Sequence, residues 1–333
     1  MVAQIDALYA KSRPGKVPPR LISYALFEGR PLTTRGRWIN PLVFAHLGLE
    51  RRLPQTRKVE KPVFVVGTGR SGTTILGVVM SLHRDVGFLN EPKAMWHTIH
   101  RQEDVVGNYA TGAARYRLGE RDASDEVVDR AHRLFGAYLR AVGGARVLDK
   151  YPELVFRVPF VRAIFPDARF VFLVRNGSDA VHSIEGWSRR LGKRTGGDVQ
   201  DWWGSNNRKW HLMVEQLVPE EGSLAGKAGE IASLTRHADM AAVEWIVTMQ
   251  EGLRQVERHP DCFYLLRYED LVRDPVHELS NLLDFCGLRQ DGAVLDFAAK
   301  KLRGVPERPP PDVHPALRQP FQKTMRQLGY RHG

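Results

Sequence analysis

The chain has 333 residues, 43% of them hydrophobic and 26% charged, with a net charge of +11. It can bury a sizeable core as one large α/β domain or two smaller ones, and its composition excludes a disordered or fibrous chain. Two cysteines exclude a disulfide framework, and no apolar run reaches the roughly 18 residues of a membrane span.

Cys262 and Cys286 sit in apolar stretches and read as reduced core residues. No secretory signal is read at the N-terminus, so the expected location is cytoplasmic, with peripheral contact at the inner membrane face as an option. The positive balance favours anionic partners such as nucleotides, acidic glycans or membrane surfaces. No nucleic-acid module shows a signature of its own, so nucleic acid is not an expected partner.

Residues 1–58 read as a basic, proline-punctuated extension carrying Lys11, Arg13, Lys16, Arg20, Arg35, Arg37, Arg51, Arg52, Arg57 and Lys58. Its apolar pieces, with Tyr24, Phe27, Trp38 and Phe44, hold no sustained helical period. Packing on the core is the simpler expectation, and contact with a membrane surface the alternative. Residues 59–333 are then the main domain, with 186–238 as a substrate-side insert.

Val63 to Val66 is a short apolar run, as in a strand buried on both faces. Gly67-Thr-Gly-Arg-Ser-Gly-Thr-Thr74 follows, and Ile75 to Leu82 resumes as an apolar helix. Strand, glycine-rich loop and helix start make a phosphate cradle, because glycines admit an anion to the backbone and first-turn N–H groups point at it. The spacing is close to a Walker A loop, but Thr73 stands at the lysine position and the cation has moved to Arg70.

Val86 to Leu89 is the next expected strand, and Glu91 follows its C-terminal end, the ligand edge of a parallel sheet. Residues 93–141 read as helical, with a capped helix from Ser124 ended by Gly143-Gly144. Val147 starts a short strand that ends in Lys150, and Pro152 opens a helix. Phe170 to Val174 is a central strand ending in Arg175, where a Walker B strand would carry a magnesium-binding Asp. The following helix places Ser183 about two turns in.

Residues 186–238 read as irregular, with Trp187, Arg189, Arg190, Lys193, Arg194, Trp202, Trp203, Arg208, Lys209 and Trp210 interleaved. Such residues can line an anionic or sugar-binding cleft, or be loop and partly buried helix. Gly196-Gly197 and Gly222 to Gly229 mark flexible, lid-like segments. Asp239 to His259 has the period of a long amphipathic helix, and Cys262 to Leu266 is another buried strand running into Tyr268-Glu-Asp-Leu271. Residues 303–311 are proline-rich and extended, and a closing helix runs towards Tyr330.

The loop 67–74, the Arg175–Ser183 pair and the softer matches at Glu91, Lys150 and 268–271 resemble sulfotransferases that use 3′-phosphoadenosine 5′-phosphosulfate (PAPS), of the bacterial and Golgi-type branch. The resemblance covers roughly Lys61 to Cys286. It implies one α/β domain with a P-loop-like parallel sheet flanked by helices on both faces. It implies Glu91 as catalytic base, with Arg70 and Lys150 at the sulfuryl group. The backbone of Gly69, Arg70, Ser71, Gly72, Thr73 and Thr74 is expected at the 5′-phosphate, Arg175 and Ser183 at the 3′-phosphate, and Tyr268 near the adenine. The product is adenosine 3′,5′-bisphosphate, and no metal is expected. Lys300 to Gly304 is only a loose echo of the C-terminal phosphate motif in the cytosolic branch.

The expected acceptor is a hydroxyl, first of a glycan or lipid-linked sugar, with a tyrosine phenol or small natural product as alternative. A P-loop kinase predicts magnesium-dependent ATP binding, and a non-catalytic anion-binding module predicts binding without turnover.

Overall fold

The computed structural model describes residues 3–330 except 35, 196 and 305, and all their side chains except those of 194 and 195. Arg35, Gly196 and the Arg194 side chain, singled out above, lie outside the described residues. β1 (Val63–Gly67), β2 (Val86–Asn90), β3 (Arg146–Lys150) and β4 (Arg169–Val174) come first. β5 (Lys193–Thr195), β6 (Asp198–Asp201) and β7 (Gly204–Ser205) make a small antiparallel sheet, and β8 (Phe263–Arg267) closes the strand list.

The main sheet has five parallel strands in the order β2-β3-β1-β4-β8. β1 therefore lies between β3 and β4, with the chain turning to one side for β2 and β3 and to the other for β4 and β8, which is a topological switch point. Side chains alternate across a strand, so Val63 and Val65 enter one apolar core while Phe64 and Val66 enter the other. Both faces are covered, which is why β1 reads as a continuous apolar run. The helices Thr73–Ser81, Pro275–Phe285 and Gly292–Lys301 serve the Val63 face, and Asp125–Val142 and His237–Arg258 the Phe64 face. The expected α/β class with helices on both faces is what the chain adopts.

Three readings change. Residues 93–141 are not helical throughout: Lys93–Ile99 and Asp125–Val142 are helices, and 104–119 is mainly irregular. Asp104 organises that loop, its carboxylate accepting from the N–H groups of Gly107, Asn108, Tyr109 and Ala110 at 2.7–3.1 Å. The stretch 186–238 is more regular than expected, with a helix to Leu191, the small sheet and a helix Arg208–Gln216. The helix His237–Arg258 buries its polar side too, including Asp239, Glu244, Thr248 and Glu251.

The N-terminal segment packs against the edge strand β2. Lys16 Nζ donates to the carbonyls of Arg84 and Val86 at 2.9 and 2.8 Å, and Asn90 N–H donates to Glu28, itself paired with Arg20.

Arg157 ties the irregular loop to the core. It is buried, pairs with Glu103 at 3.2 Å, and donates to the carbonyls of Glu103, Arg115 and Tyr116 at 2.7–3.1 Å. Arg157→Met orphans these acceptors and should cost about 3–5 kcal/mol, read from the urea midpoint. A loss within about 1 kcal/mol would show that the loop does not depend on this contact.

Candidate active site

Every strand of the main sheet delivers one element of the site to the same edge. Glu91 follows β2, Lys150 ends β3, the glycine-rich loop follows β1, Arg175 follows β4 and Tyr268 follows β8. Parallel pairing aligns these ends, with Lys150 opposite Asn90 on one side and Val174 opposite Arg267 on the other.

The loop after β1 is built for close approach. Arg70 holds φ +70° and Gly72 φ +94°, and a Cβ at Gly72 would lie 2.4 Å from the Tyr268 ring. The helix Thr73–Ser81 then starts with its first N–H groups at the loop. Ser71 and Thr73 are buried, and the hydroxyls of Thr68 and Ser71 have no partner among the described residues.

Arg70 reaches from the loop to Ser183, its Nε donating to Oγ at 3.3 Å. Burial and then the nearby Arg190 lower its pKa, against the pull of Glu91. It remains a cation, as arginine does in proteins. Arg175 donates to the Arg70 carbonyl at 3.2 Å, lies 3.5 Å from Asp179 and covers the Tyr268 ring at 4.7 Å. Its Nε is buried without a partner among the described residues. Arg175 and Ser183 line a cavity of about 650 Å³, with Arg189, Arg190 and the extended segment 306–309.

Glu91 sits at φ +50°, its N–H donating to the Lys150 carbonyl at 2.7 Å. Its carboxylate is paired directly with the buried Lys150 ammonium and lies 3.6 Å from Lys93. Burial opposes that charge, but Lys150 and then Lys93 outweigh it and hold the pKa down at about 2. Lys93 also lies 3.4 Å from Glu153. Burial works against its charge, yet Glu153 and Glu91 hold its pKa above the usual lysine value. Beside Lys150, burial lifts the Asp149 carboxyl to about 8, and Trp96 Nε1 donates to it at 2.7 Å.

Residues 62–222 and 213–292 match the model of the sulfotransferase family. The chain belongs to that family. Similar proteins include protein-tyrosine sulfotransferase 1 of Danio rerio, 28% identical over 37% of this chain and 34% of that protein. The protein-tyrosine sulfotransferase of Drosophila melanogaster is 29% identical over 73% and 42%, and nodulation protein NoeE of Sinorhizobium fredii 25% over 71% and 51%. The chain thus spans about a third to a half of these relatives. Sulfotransferase STF9 from Mycobacterium avium is 14% identical, covering 98% of this chain and 93% of its own, with a TM-score of 0.49.

A second cavity, of about 160 Å³, reaches Glu91 and Gly69. Trp202 lies on the loop: a Cβ at Gly69 would stand 2.4 Å from its ring. Trp187 meets Trp202 edge to face at 5.4 Å. Glu244, from the helix His237–Arg258, accepts from Trp202 Nε1 and Lys209 Nζ, both at 2.5 Å. The interleaved tryptophans and cations of 186–238 therefore divide three ways. Trp187, Trp202 and Lys209 wall this cavity, Arg189 and Arg190 wall the cavity of Arg175, and Trp203 and Trp210 are core.

Sequence reasoning missed Lys93, Glu153, Asp179 and Glu244, and it named Lys209 only as one of the interleaved residues of the insert. Glu244, Thr248 and Glu251 recur at helical spacing, but on a helix expected to be amphipathic they read as its solvent face. The Lys300–Gly304 echo leads away from the site at Lys301, which pairs with Asp6. Arg308 instead stands at the cavity, its N–H donating to Asp179 at 2.9 Å.

Gly72→Ala should push the Tyr268 ring aside and strain the loop. The measurable result is at least about tenfold weaker nucleotide affinity with the fold retained. Unchanged affinity would separate Tyr268 from the nucleotide site.

Proposed function

We propose that the chain transfers a sulfuryl group from PAPS to an acceptor hydroxyl held in the cavity beside Glu91. The observation that carries this reading is the row of strand ends, which sets a glycine-rich anion cradle between Glu91–Lys150 on one side and Arg175–Ser183 on the other. The buried hydroxyls of Thr68 and Ser71 and the Nε of Arg175 are donors without partners among the described residues, as a site for a multiply anionic nucleotide requires.

When bound, PAPS supplies the sulfuryl group and leaves as adenosine 3′,5′-bisphosphate. Backbone N–H groups of Gly69 to Thr74 hold the 5′-phosphate. Arg175 and Ser183 hold the 3′-phosphate, and Tyr268 borders the adenine. Arg70 and Lys150 offset charge at the reacting group, as fixed cations in place of a metal ion. Glu91, already ionised, accepts the proton of the acceptor hydroxyl.

The favoured acceptor is a sugar hydroxyl, free or lipid-linked. The cavity suits a small polar ring, because Trp187 and Trp202 offer flat faces beside the charged pair Lys209–Glu244. A tyrosine phenol is the second reading, supported by relatives that carry the name protein-tyrosine sulfotransferase.

Calorimetry with adenosine 3′,5′-bisphosphate, ADP and ATP tests the nucleotide assignment. Tight, magnesium-independent binding of the bisphosphate alone is expected, weakened at least about tenfold by Arg175→Ala. Magnesium-dependent ATP binding with no preference for the 3′-phosphate would sink it. Radiolabelled transfer to saccharides against tyrosine peptides decides the acceptor.

Glu91→Gln should lower kcat by about 10²–10⁴ while leaving bisphosphate affinity within about twofold. Equal loss of both would remove Glu91 from the base role. With its pKa held at about 2, Glu91 stays ionised well below the ordinary value of 4.5. The pH profile of kcat/KM should therefore show no acid limb near 4.5. Lys150→Met removes the main stabilising charge, so in the residual activity that limb should move up. An acid limb in the parent enzyme that this variant leaves in place would assign it to another group.

A further inference from the structure

The helix Asn40–Glu50 carries apolar residues on two faces. Val43 and Leu47 face the core and are buried. Leu42 and Leu49 face water, 64% and 57% exposed, with Ala45 also exposed between them. At helical spacing these three fall on one stripe, roughly 60° wide. Trp38, 78% exposed, stands about one turn before it, and Leu53 about one turn after. Six of the nine large apolar residues exposed among the described residues lie between 21 and 53. A surface leucine alone is ordinary, whereas apolar residues gathered on one face mark an interaction site.

The surroundings of the stripe are basic. Arg37 and Arg52 are exposed in the turns at its ends. The acid of this helix, Glu50, is held by Arg140 at 2.9 Å.

We propose that this face docks on an anionic phospholipid surface. Trp38, Leu42, Leu49 and Leu53 enter the boundary between headgroups and acyl chains, while Arg37 and Arg52 meet lipid phosphates. Charge selects this occupant. A second copy of the chain would set arginine against arginine in a protein of net charge +11, while an anionic bilayer offers the opposite sign. No helix among the described residues is long and apolar enough to cross a membrane. The stripe has the form of a helix lying in the interface, where apolar burial and attraction to anionic lipid add. The preceding residues Pro31, Leu32, Thr33 and Thr34 wall the cavity beside Glu91, so, on the proposed function, docking brings that cavity towards hydroxyl groups carried by the bilayer.

Flotation of the full chain with vesicles of phosphatidylcholine, with and without phosphatidylglycerol, tests this. Binding to the anionic vesicles is expected, and it should fall as salt is raised. Leu42→Glu and Leu49→Glu should each reduce it about tenfold, with an unchanged thermal midpoint because both side chains already face water. Arg37→Glu with Arg52→Glu should weaken binding and flatten its salt dependence. No binding to anionic vesicles at low salt overturns the proposal, and so does binding that Leu42→Glu leaves intact. Sedimentation velocity covers the rival occupant: a dimer that Leu42→Glu dissociates would assign the face to a second copy and also overturn it.

Discussion

The site depends on the parallel register of five strands. A parallel sheet places all its C-terminal strand ends on one edge, and β1 lies where the strand order reverses. No long excursion is needed to bring Glu91, Lys150, Arg70, Arg175 and Tyr268 into one row, because each is within a few residues of a strand end. The apolar core therefore fixes the chemistry. Alternating burial of β1 side chains in two cores sets the height of that strand, and the loop that follows inherits its position.

Gathering cations at one edge carries an electrostatic cost, and carboxylates from elsewhere in the chain offset it. Asp179 stands by Arg175, Glu91 by Lys150, Glu153 by Lys93 and Glu244 by Lys209. Each pair is largely removed from water, where an unpaired charge would be far more costly than a paired one. One cavity is bordered by Arg175 and another by Glu91 and Gly69, and Trp202 braces the loop from the Glu91 side. A ligand that moves Trp202 must therefore disturb the loop at Gly69.

The sheet and the phosphate loop were legible because their signals are local. A doubly buried strand is a short apolar run, and a tight anion cradle needs glycines at fixed spacing, both visible within about a dozen residues. The partners of the site were not legible, since Lys93, Glu153 and Glu244 join Lys209 in a cluster only when distant segments meet. The loop 104–119 reads as helix in sequence because nothing nearby announces Arg157, the cation that holds it. The segment around Trp38 and Leu42 gave no helical period for a physical reason. Its helix is apolar on the face towards the core and again on the face towards water, and two apolar stripes blur the repeat that one would show.

On the proposed reading, the pairing of Glu91 with Lys150 answers a difficulty that it also creates. A carboxylate held at about 2 is always ionised and so always ready to accept a proton, but it is a weak base. Most of that weakness comes from Lys150, with Lys93 second. Lys150 ends the strand next to β1, so its ammonium, paired with Glu91, belongs to the same sheet edge as the glycine-rich loop. Negative charge that gathers at the loop repels the carboxylate directly and so opposes the pull of Lys150. The carboxylate becomes more basic at the stage when the acceptor hydroxyl must lose its proton. One lysine then serves both halves of the transfer, which explains why it is buried and why its neighbour Asp149 is kept largely uncharged below about 8 rather than competing for it.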